Sequence, residues 1–275
     1  MSFSKTAPAQ GIRHIWGDRR PLIIGMVHLL PLPGAPRAAA SLDEVRERAL
    51  ADARALAAGG VDGIIVENFG DAPFHPDSVP AETIAAMTVL TADVVRAVGL
   101  PVGVNVLRND AAAALAVAAA AGARFIRVNV HTGAMLTDQG WITGRAHETL
   151  RLRARLAPDV AIAADVLVKH ATSPPGLEPA RAAEDTWHRG LADALIVSGA
   201  ATGKATDIER IRAVKAAVPE ATVWAGSGIG PDTIADVLAV ADGAIIGTAF
   251  QRGGRPGAPV EPERVRAVLA AAGRS

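Results

Sequence analysis

Apolar residues in this chain occur in short, almost uninterrupted runs that are separated by longer amphipathic segments. Runs of this length and composition are typical of parallel strands that are covered on both faces. The runs that we expect to form strands lie at residues 22–29, 63–68, 102–106, 125–130, 161–166, 194–198, 223–230 and 243–248. The run that begins at residue 223 is expected to leave its strand through a glycine turn and to enter a helix near Pro231.

The segments between these runs carry helix signals. Ser41, followed by Glu44, predicts a capping box at the start of a helix that Gly59 and Gly60 end. Further helices are expected at residues 80–98, from 109 or 110 to 122, 145–156, up to 190, from 207, from 231 and 261–272. Residues 131–144, between the fourth strand and its helix, are expected to form a polar loop.

Eight strand and helix alternations in 275 residues predict an α/β fold with a parallel sheet. This number and length favour a single (β/α)8 TIM barrel over an open sheet. No Gly-x-Gly-x-x-Gly follows the first strand, so a dinucleotide-binding Rossmann site is not expected. We predict one domain over residues 1–275, with a short N-terminal extension over about residues 1–20.

Composition limits the classes of function. The formal net charge is zero, which gives no indication of binding to nucleic acid. The chain has no cysteine, so disulfides and thiolate catalysis are excluded. No apolar run approaches the roughly 20 residues needed for a transmembrane segment, and the N-terminus lacks the apolar core of a signal peptide. A cytoplasmic location is the expectation, and the chain is compatible with a homo-oligomer.

Glycines follow the last two predicted strands, where a (β/α)8 barrel commonly binds phosphate. Glycine allows backbone N–H groups to approach an anion closely. A single glycine turn of this kind is more often only a tight turn, but two in succession favour a phosphate site. The predicted phosphate-binding residues are Gly226, Ser227, Gly228, Gly247 and Thr248.

Polar side chains stand at or near the carboxyl ends of the other strands, which converge on one mouth of a barrel. The predicted catalytic residues are His28, Glu67, Asp165, Lys169 and His170. The predicted substrate-binding residues are Asn68, Asn105, Asn129 and Ser198. Any one of these histidines or amides could be structural. Buried acids need a cation, a donor or a metal, so the whole set indicates a site more strongly than its members do.

Several chemical roles are open at this point. Glu67 or Asp165 could be a general base, and His28 or His170 a general acid. Lys169 could stabilise an oxyanion or, less favourably because it lies beyond its strand, form a Schiff base. His28 and the two acids could instead hold a divalent metal, although no tight ligand spacing supports this. Arg127 would face the same interior as Asn129 if the strand pleats regularly.

Blocks distributed over nearly the whole chain resemble the BtpA family, which includes the SgcQ proteins. The blocks are GMVH at 25–28, LPG at 32–34, GIIVENFGD at 63–71, GVNVLRND at 103–110, FIRVN at 125–129, DVLVKH at 165–170, VSGAATG at 197–203 and GSG at 226–228. The resemblance implies a ribulose-phosphate-binding barrel. It supplies no established reaction, so the matching polar positions remain candidates without a known role.

The resemblance leaves two main functions. The first is an enzyme that acts on a phosphorylated sugar, nucleoside or related small metabolite, as an isomerase, a lyase, or a hydrolase or transferase of a glycosidic bond. The alternative is a non-enzymatic biogenesis or stability factor, because the founding member is associated with photosystem I biogenesis. Because family members also occur in organisms without photosystems, photosystem assembly cannot be the biochemical activity that the whole family shares. A barrel that only senses a metabolite is a third reading, and the clustered ionisable groups favour the enzyme.

Overall fold

The structure, a computed structural model, describes residues 11–199 and 207–274 and contains a closed barrel of eight parallel strands. The barrel strands are β1 (Leu22–His28), β2 (Gly63–Glu67), β3 (Val102–Asn105), β4 (Phe125–Val128), β7 (Ala161–Val166), β8 (Ala194–Ser198), β9 (Val223–Gly226) and β10 (Gly243–Ile246). A separate antiparallel hairpin is formed by β5 (Ala134–Thr137) and β6 (Gly140–Thr143). Each barrel strand pairs with its neighbours along the chain, and β10 closes the barrel by pairing with β1. The predicted TIM barrel is therefore confirmed.

Helices surround the barrel between these strands. The α-helices of the described residues are α1 (Gly11–Trp16), α2 (Leu42–Gly59), α3 (Ala81–Val98), α4 (Ala111–Ala121), α5 (Ala146–Leu156), α6 (Pro179–Glu184), α7 (Ile208–Ala217), α8 (Ile234–Leu238) and α9 (Pro262–Ala271). The predicted capping box of Ser41 and Glu44 is present, and Gly60 ends α2 in the left-handed conformation. None of these helices is both long enough and apolar enough to cross a membrane.

Side-chain alternation along the strands divides the apolar residues between two cores. Residues that face outward pack under the helices, as Val27 of β1 does. Residues that face inward fill the barrel, and in β1 they are Leu22, Ile24 and Met26. Because the strand period is two, the next inward position of β1 is His28. By the same alternation, the side chains that fill the barrel interior change from apolar to polar at its carboxyl end.

Three aspartates fix the opposite, amino-terminal ends of neighbouring strands. Asp62, Asp193 and Asp242 each precede a strand and accept a hydrogen bond from a backbone N–H at the start of the adjacent strand, over 2.7–2.8 Å. The sequence repeats an apolar residue, aspartate and a small residue at these three places. The repeat satisfies backbone groups at strand ends and so helps to set the register of the barrel.

The helix α1, within the predicted N-terminal extension, covers the amino-terminal end of the barrel. Ile12 is buried in the interior core, and the Trp16 ring makes edge contacts with Phe125 and Trp224 at centroid distances of 5.4 and 5.9 Å. Trp16 Nε1 also donates to the carbonyl oxygen of Asp62 at 2.8 Å. This packing closes the barrel floor and leaves the other mouth as its open end.

The structure corrects two predicted elements. Residues 131–144 are not simply a polar loop, because they contain the β5–β6 hairpin, whose Met135 and Ile142 pack against Val168. The helix expected near Pro231 begins only at Ile234, because residues 227–230 are irregular and residues 231–233 form a turn. The predicted loop after β8 lies largely at residues 200–206, outside the described residues.

We predict that Trp16→Ala will lower the free energy of unfolding by about 3 kcal/mol, because it removes a large ring from the barrel floor. Chemical denaturation at pH 7 measures the change. Trp141→Ala is the matched control, since Trp141 is 59% exposed and its loss is expected to change stability by less than about 0.5 kcal/mol. Equal stability of the Trp16 variant and the wild type would contradict the floor packing.

Candidate active site

Two cavities open at the carboxyl-terminal mouth of the barrel. The small cavity, of 290 Å³, extends from the barrel interior to the glycine turns after β9 and β10. The large cavity, of 680 Å³, extends toward the loops after β1, β3 and β7. They share a wall whose residues are Glu67, Phe69, Arg127 and Lys169. The mouth therefore offers two connected spaces on either side of a charged partition.

A buried ion pair between Arg127 and Asp165 lies beneath this wall. Arg127 Nε donates to Asp165 Oδ2 at 3.0 Å, and Arg127 Nη2 donates to Asp165 Oδ1 at 2.9 Å. Burial acts to lower the pKa of Arg127, but the charge and hydrogen bonds of Asp165 and the charge of Glu67 together outweigh it, so the pKa is raised. A bidentate pair of this kind fixes both side chains and satisfies charges that burial alone would disfavour.

Amide and hydroxyl groups complete the surroundings of Asp165. Asn129 Nδ2 donates to Asp165 Oδ2 at 2.8 Å, and Ser198 Oγ donates to Asp165 Oδ1 at 3.2 Å. Asn105 Nδ2 in turn donates to Asn129 Oδ1 at 3.3 Å and to the Arg127 carbonyl at 3.1 Å. With four donors, Asp165 uses about all the acceptor capacity of a carboxylate. Its predicted role as a general base is therefore disfavoured, and the geometry suits an anchor for Arg127.

His28, at the end of β1, is held by a residue that sequence reasoning missed. Gln251 Oε1 accepts from the Gly257 N–H at 3.2 Å, which directs Gln251 Nε2 to His28 Nδ1 at 2.9 Å. An imidazole that accepts at Nδ1 carries its proton on Nε2. Burial, together with the positive charges of Lys169 and Arg127, lowers the pKa of His28 to about 3. His28 is therefore a neutral Nε2–H donor at physiological pH, which disfavours its predicted role as a general acid.

Glu67 is the carboxyl group that the network leaves available. It lies at the end of β2, beside His28, with 3.8 Å between Glu67 Oε1 and His28 Nε2. Burial raises its pKa, and the nearby charges of Arg127 and Lys169 partly oppose that shift. No hydrogen bond from the described residues occupies the Glu67 carboxyl oxygens within 3.5 Å. A buried carboxyl with a raised pKa that lines both cavities can exchange a proton with a ligand.

Lys169 and His170, after β7, have different positions. Lys169 is half-buried in the shared wall, and its pKa is lowered by burial and by the charge of Arg127. No carboxylate of residues 11–199 and 207–274 lies within 4.0 Å of Lys169. His170 is exposed at the edge of the large cavity. Lys169 is therefore in a position to meet a ligand inside the mouth, whereas His170 stands at its rim.

Asn68 does not belong to the mouth, which corrects its prediction as a substrate-binding residue. It follows Glu67 and so falls outside the inward series. Asn68 Oδ1 accepts from the Leu107 N–H at 2.7 Å, and Asn68 Nδ2 donates to Asp71 Oδ2 at 3.0 Å. Neither cavity is lined by Asn68. Its amide joins the loops after β2 and β3 and is not available to a ligand.

The predicted phosphate residues border the small cavity in part. Ser227, Gly228, Gly247 and Thr248 line it, whereas Gly226 lies below, where an added Cβ would approach Ser198 Oγ to 2.9 Å. Gly228 has a φ of 67°, a conformation that glycine adopts readily. The backbone N–H groups of Gly228 and Thr248 make no hydrogen bond within the described residues. Backbone N–H groups that are not used within the protein and that face a cavity are suited to bind an anion.

Two arginines at the mouth were not among the predicted site residues. Arg264 of α9 lines the small cavity, and its Nε donates to the Ala249 carbonyl at 2.8 Å. Arg108, after β3, lines the large cavity. Arg108 stands in the block at 103–110 and could have been noticed there, because it follows a strand end. Arg264 stands in an amphipathic helix and gave no comparable signal.

The residues considered for a divalent metal do not fit one. The Asp165 oxygens are occupied by Arg127, Asn129 and Ser198, so His28 and Glu67 lack a third ligand. Across residues 11–199 and 207–274, no three histidine, aspartate or glutamate side chains are grouped to hold an ion. No step is therefore assigned to a metal here.

The fold and the mouth together define a (β/α)8 barrel with ionisable groups at the carboxyl ends of its strands. The chain belongs to the BtpA family, whose model matches residues 19–274. It is 49% identical over 249 residues to the Photosystem I biogenesis protein BtpA of a Synechocystis strain, covering 90% of this chain and 87% of that protein. An uncharacterized protein of Thermococcus kodakarensis is 46% identical over 252 residues, covering 92% and 95%.

Solved structures of other barrels are similar in fold. Orotidine 5'-phosphate decarboxylase from Pyrococcus horikoshii has a TM-score of 0.55 at 17% identity, covering 92% of this chain and 100% of that one. Phosphoribosyl anthranilate isomerase from Thermus thermophilus has a TM-score of 0.55 at 14% identity, covering 91% and 97%. At these identities the similarity establishes the barrel fold and not the reaction.

We predict that Asp165→Asn will destabilise the protein by about 3–5 kcal/mol, because a neutral amide leaves the buried Arg127 charge without compensation. Urea unfolding at pH 7 gives the difference. Asp159→Asn makes the same chemical change at an exposed position and should alter stability by less than about 0.5 kcal/mol. A loss below about 1 kcal/mol for Asp165→Asn would show that the pair does not anchor the network.

We predict that His28→Gln will make stability less sensitive to acid. The ordinary pKa of 6.5 applies to unfolded His28, whereas the folded pKa is about 3. Between these values only the unfolded chain takes up the proton, so wild-type stability falls by about 1.4 kcal/mol per pH unit on this account as pH decreases. Above pH 6.5 His28 is neutral in both states, so its protonation no longer lowers the free energy of unfolding.

Urea unfolding of wild type and His28→Gln between pH 7 and pH 4 tests this slope. The buried His131, whose pKa is also lowered by burial, stays in both proteins and cancels in the comparison. The exposed His147 supplies the control His147→Gln, which should retain the wild-type slope. Identical slopes for the His28 variant and the wild type would mean that His28 is not kept neutral by the fold.

Proposed function

We propose that this protein is an enzyme that acts on a phosphorylated sugar, nucleoside or related small metabolite by general acid/base chemistry. The observation that carries the proposal is the position of Glu67. Its buried carboxyl, with a raised pKa, lies in the wall between the glycine-lined small cavity and the large cavity. A ligand whose phosphate occupied the small cavity would bring its next atoms to this wall.

Two ionisable residues of the wall, Glu67 and Lys169, have roles suited to their environments. Glu67 is the general base, because burial makes its carboxylate a better proton acceptor than an exposed one. Lys169 stabilises the oxyanion that proton removal beside a carbonyl would create, since its ammonium group has no carboxylate partner within 4.0 Å among the described residues. A Schiff base at Lys169 is the secondary alternative, and its lowered pKa is compatible with that chemistry.

The remaining groups orient the ligand. His28 offers a neutral N–H donor at Nε2 to a ligand in the small cavity, 3.8 Å from the Glu67 carboxyl. Arg127 is held in place by Asp165 and adds positive charge to the wall. The unused N–H groups of Gly228 and Thr248 receive the phosphate oxygens, and Arg264 adds a positive charge at the same cavity. This set favours an isomerase or aldol-type lyase, while transfer or hydrolysis at a glycosidic bond is also compatible with one base and one oxyanion site.

The similarity to solved barrel structures supports a phosphorylated ligand. Two of the similar barrels are named for phosphorylated substrates, orotidine 5'-phosphate and phosphoribosyl anthranilate. Those names belong to distant proteins, so they support the class of ligand and not its identity. The argument for this chain remains the glycine turns and their position beside Glu67.

A biogenesis role is the second candidate function. It follows from the name of the Synechocystis relative, and one observation favours it. The β5–β6 hairpin exposes two large apolar side chains, Trp141 at 59% and Leu136 at 43%. Exposed apolar groups that lie close together can contact a partner protein. Capture of a membrane complex by the wild type, and its loss in Trp141→Ala, would support this second function.

We predict that phosphorylated ligands will stabilise the wild type and that Gly228→Asp will abolish the effect by repelling the phosphate. A thermal-shift screen compares sugar phosphates and nucleoside monophosphates with their unphosphorylated counterparts. A ligand at 100 times its dissociation constant adds about 2.7 kcal/mol to the free energy of unfolding. Gly228→Asn is the matched control, because asparagine has the same size and tolerates the left-handed backbone but carries no charge.

Glu67→Gln separates an enzyme from a sensor for any compound found in this screen. The amide keeps the shape of the side chain but cannot accept the proton, so turnover should fall by at least about 100-fold while binding stays within a few fold. Turnover and binding are measured on the same preparation. Equal shifts for phosphorylated and unphosphorylated compounds would exclude the phosphate assignment, and unchanged turnover in Glu67→Gln would exclude Glu67 as the base.

A further inference from the structure

Arg108 is a nearly buried cation at the wall of the large cavity. The residue is only 6% exposed, and its Nη2 donates to the Lys169 carbonyl at 2.8 Å and to the His170 carbonyl at 3.5 Å. Its guanidinium therefore spans from the loop after β3 to the loop after β7. Both of these loops belong to the open mouth of the barrel.

This guanidinium lacks the compensation that the other buried arginines have. Arg127 and Arg153, each 5% exposed, pair with Asp165 and Asp193 over 2.9 and 2.6 Å. No carboxylate of residues 11–199 and 207–274 lies within 4.0 Å of Arg108. Its Nε and Nη1 groups have no hydrogen-bond acceptor within the same residues. Asp165, Asp138 and Glu67 attract this cation only from beyond 4.0 Å, so its burial is weakly compensated and an anion bound in the cavity would compensate it directly.

With Arg108 included, the charged side chains that line the large cavity have a small positive balance. Lys169 and the exposed Arg37 join Arg108 in the lining, and Arg127 is already matched by Asp165. Asp138 and Glu67 are the acids of that lining. Among the described residues, neither acid lies within 4.0 Å of Arg108 or Lys169. The cavity can therefore accept a negative group without first displacing an ion pair.

We propose that Arg108, together with Lys169, binds a second anionic group of the ligand, a carboxylate or a second phosphate, in the large cavity. The planar guanidinium fork matches either group through two parallel hydrogen bonds, and Nε and Nη1 are the donors that remain. The ligand then carries one negative group at each end, with the reacting atoms between them at Glu67. This inference rests on the proposed function, since the first anion is the phosphate in the small cavity.

Matched pairs of ligands test the second anion by calorimetry. Glycerol 3-phosphate and 3-phosphoglycerate differ by a carboxylate, and ribulose 5-phosphate and ribulose 1,5-bisphosphate differ by a phosphate. Wild type should bind the member with two anionic ends at least tenfold more tightly in one of these pairs, and the pair concerned identifies the group. Equal affinities within both pairs would overturn the inference.

Variants of Arg108 connect the preference to this side chain. Arg108→Gln should reduce the preference to within about twofold and leave the affinity for inorganic phosphate unchanged. Arg108→Lys keeps the charge but loses the fork, so it should retain only part of the preference. Arg151→Gln, at an exposed position of α5, removes one positive charge elsewhere and should behave as wild type. Equal weakening of both members of a pair by Arg108→Gln would also overturn the inference.

Inorganic phosphate separates failure here from failure of the proposed function. In one outcome, phosphate binds to wild type and not to Gly228→Asp while no ligand pair shows a preference. That result would support the phosphate site in the small cavity and would refute only the second anion site at Arg108. If neither inorganic phosphate nor any phosphorylated compound binds, the proposed function fails and this inference fails with it. If Arg108→Gln does not fold, Arg108→Lys and the wild-type comparison still decide the question.

Discussion

The buried pair of Arg127 and Asp165 is the interaction on which the polar half of the barrel depends. Two charges inside a barrel are tolerable only when they meet in good geometry and their remaining donors and acceptors are satisfied. The bidentate contact and the donors from Asn129 and Ser198 provide this. The pair therefore holds neighbouring strand ends together and fixes a positive charge beneath the mouth.

Burial beside this pair shifts the pKa values of His28 and Glu67 in directions that suit the proposed chemistry. The same loss of solvent that keeps His28 neutral raises the pKa of Glu67, because burial disfavours each charged form. Gln251 then decides which nitrogen of His28 carries the proton. A neutral donor and a carboxyl group with a raised pKa consequently stand 3.8 Å apart, without an ion pair that would have to be broken first.

Much of the barrel was readable from the sequence, because strand and helix periodicity are local properties. The apolar runs located the barrel strands to within a few residues, and the capping box located α2. The β5–β6 hairpin was missed, since its short strands are partly exposed and lack a continuous apolar run. The polar strand ends were found for the same local reason, and closure of the barrel does bring Glu67, Asp165 and Lys169 to one mouth.

What the sequence by itself determined was which inward-facing residues end the strands at the mouth, because alternation along a strand and the direction of parallel strands follow from local pattern. Only the tertiary structure decided their partners. Asn68 serves loop backbone, Asp165 is taken by Arg127, and Gln251 reaches His28 from 223 residues away. Such pairings depend on barrel closure and on loop paths, which set distances between residues far apart in the chain. For the same reason, the lack of a close carboxylate beside Arg108 among the described residues becomes visible only in the tertiary structure.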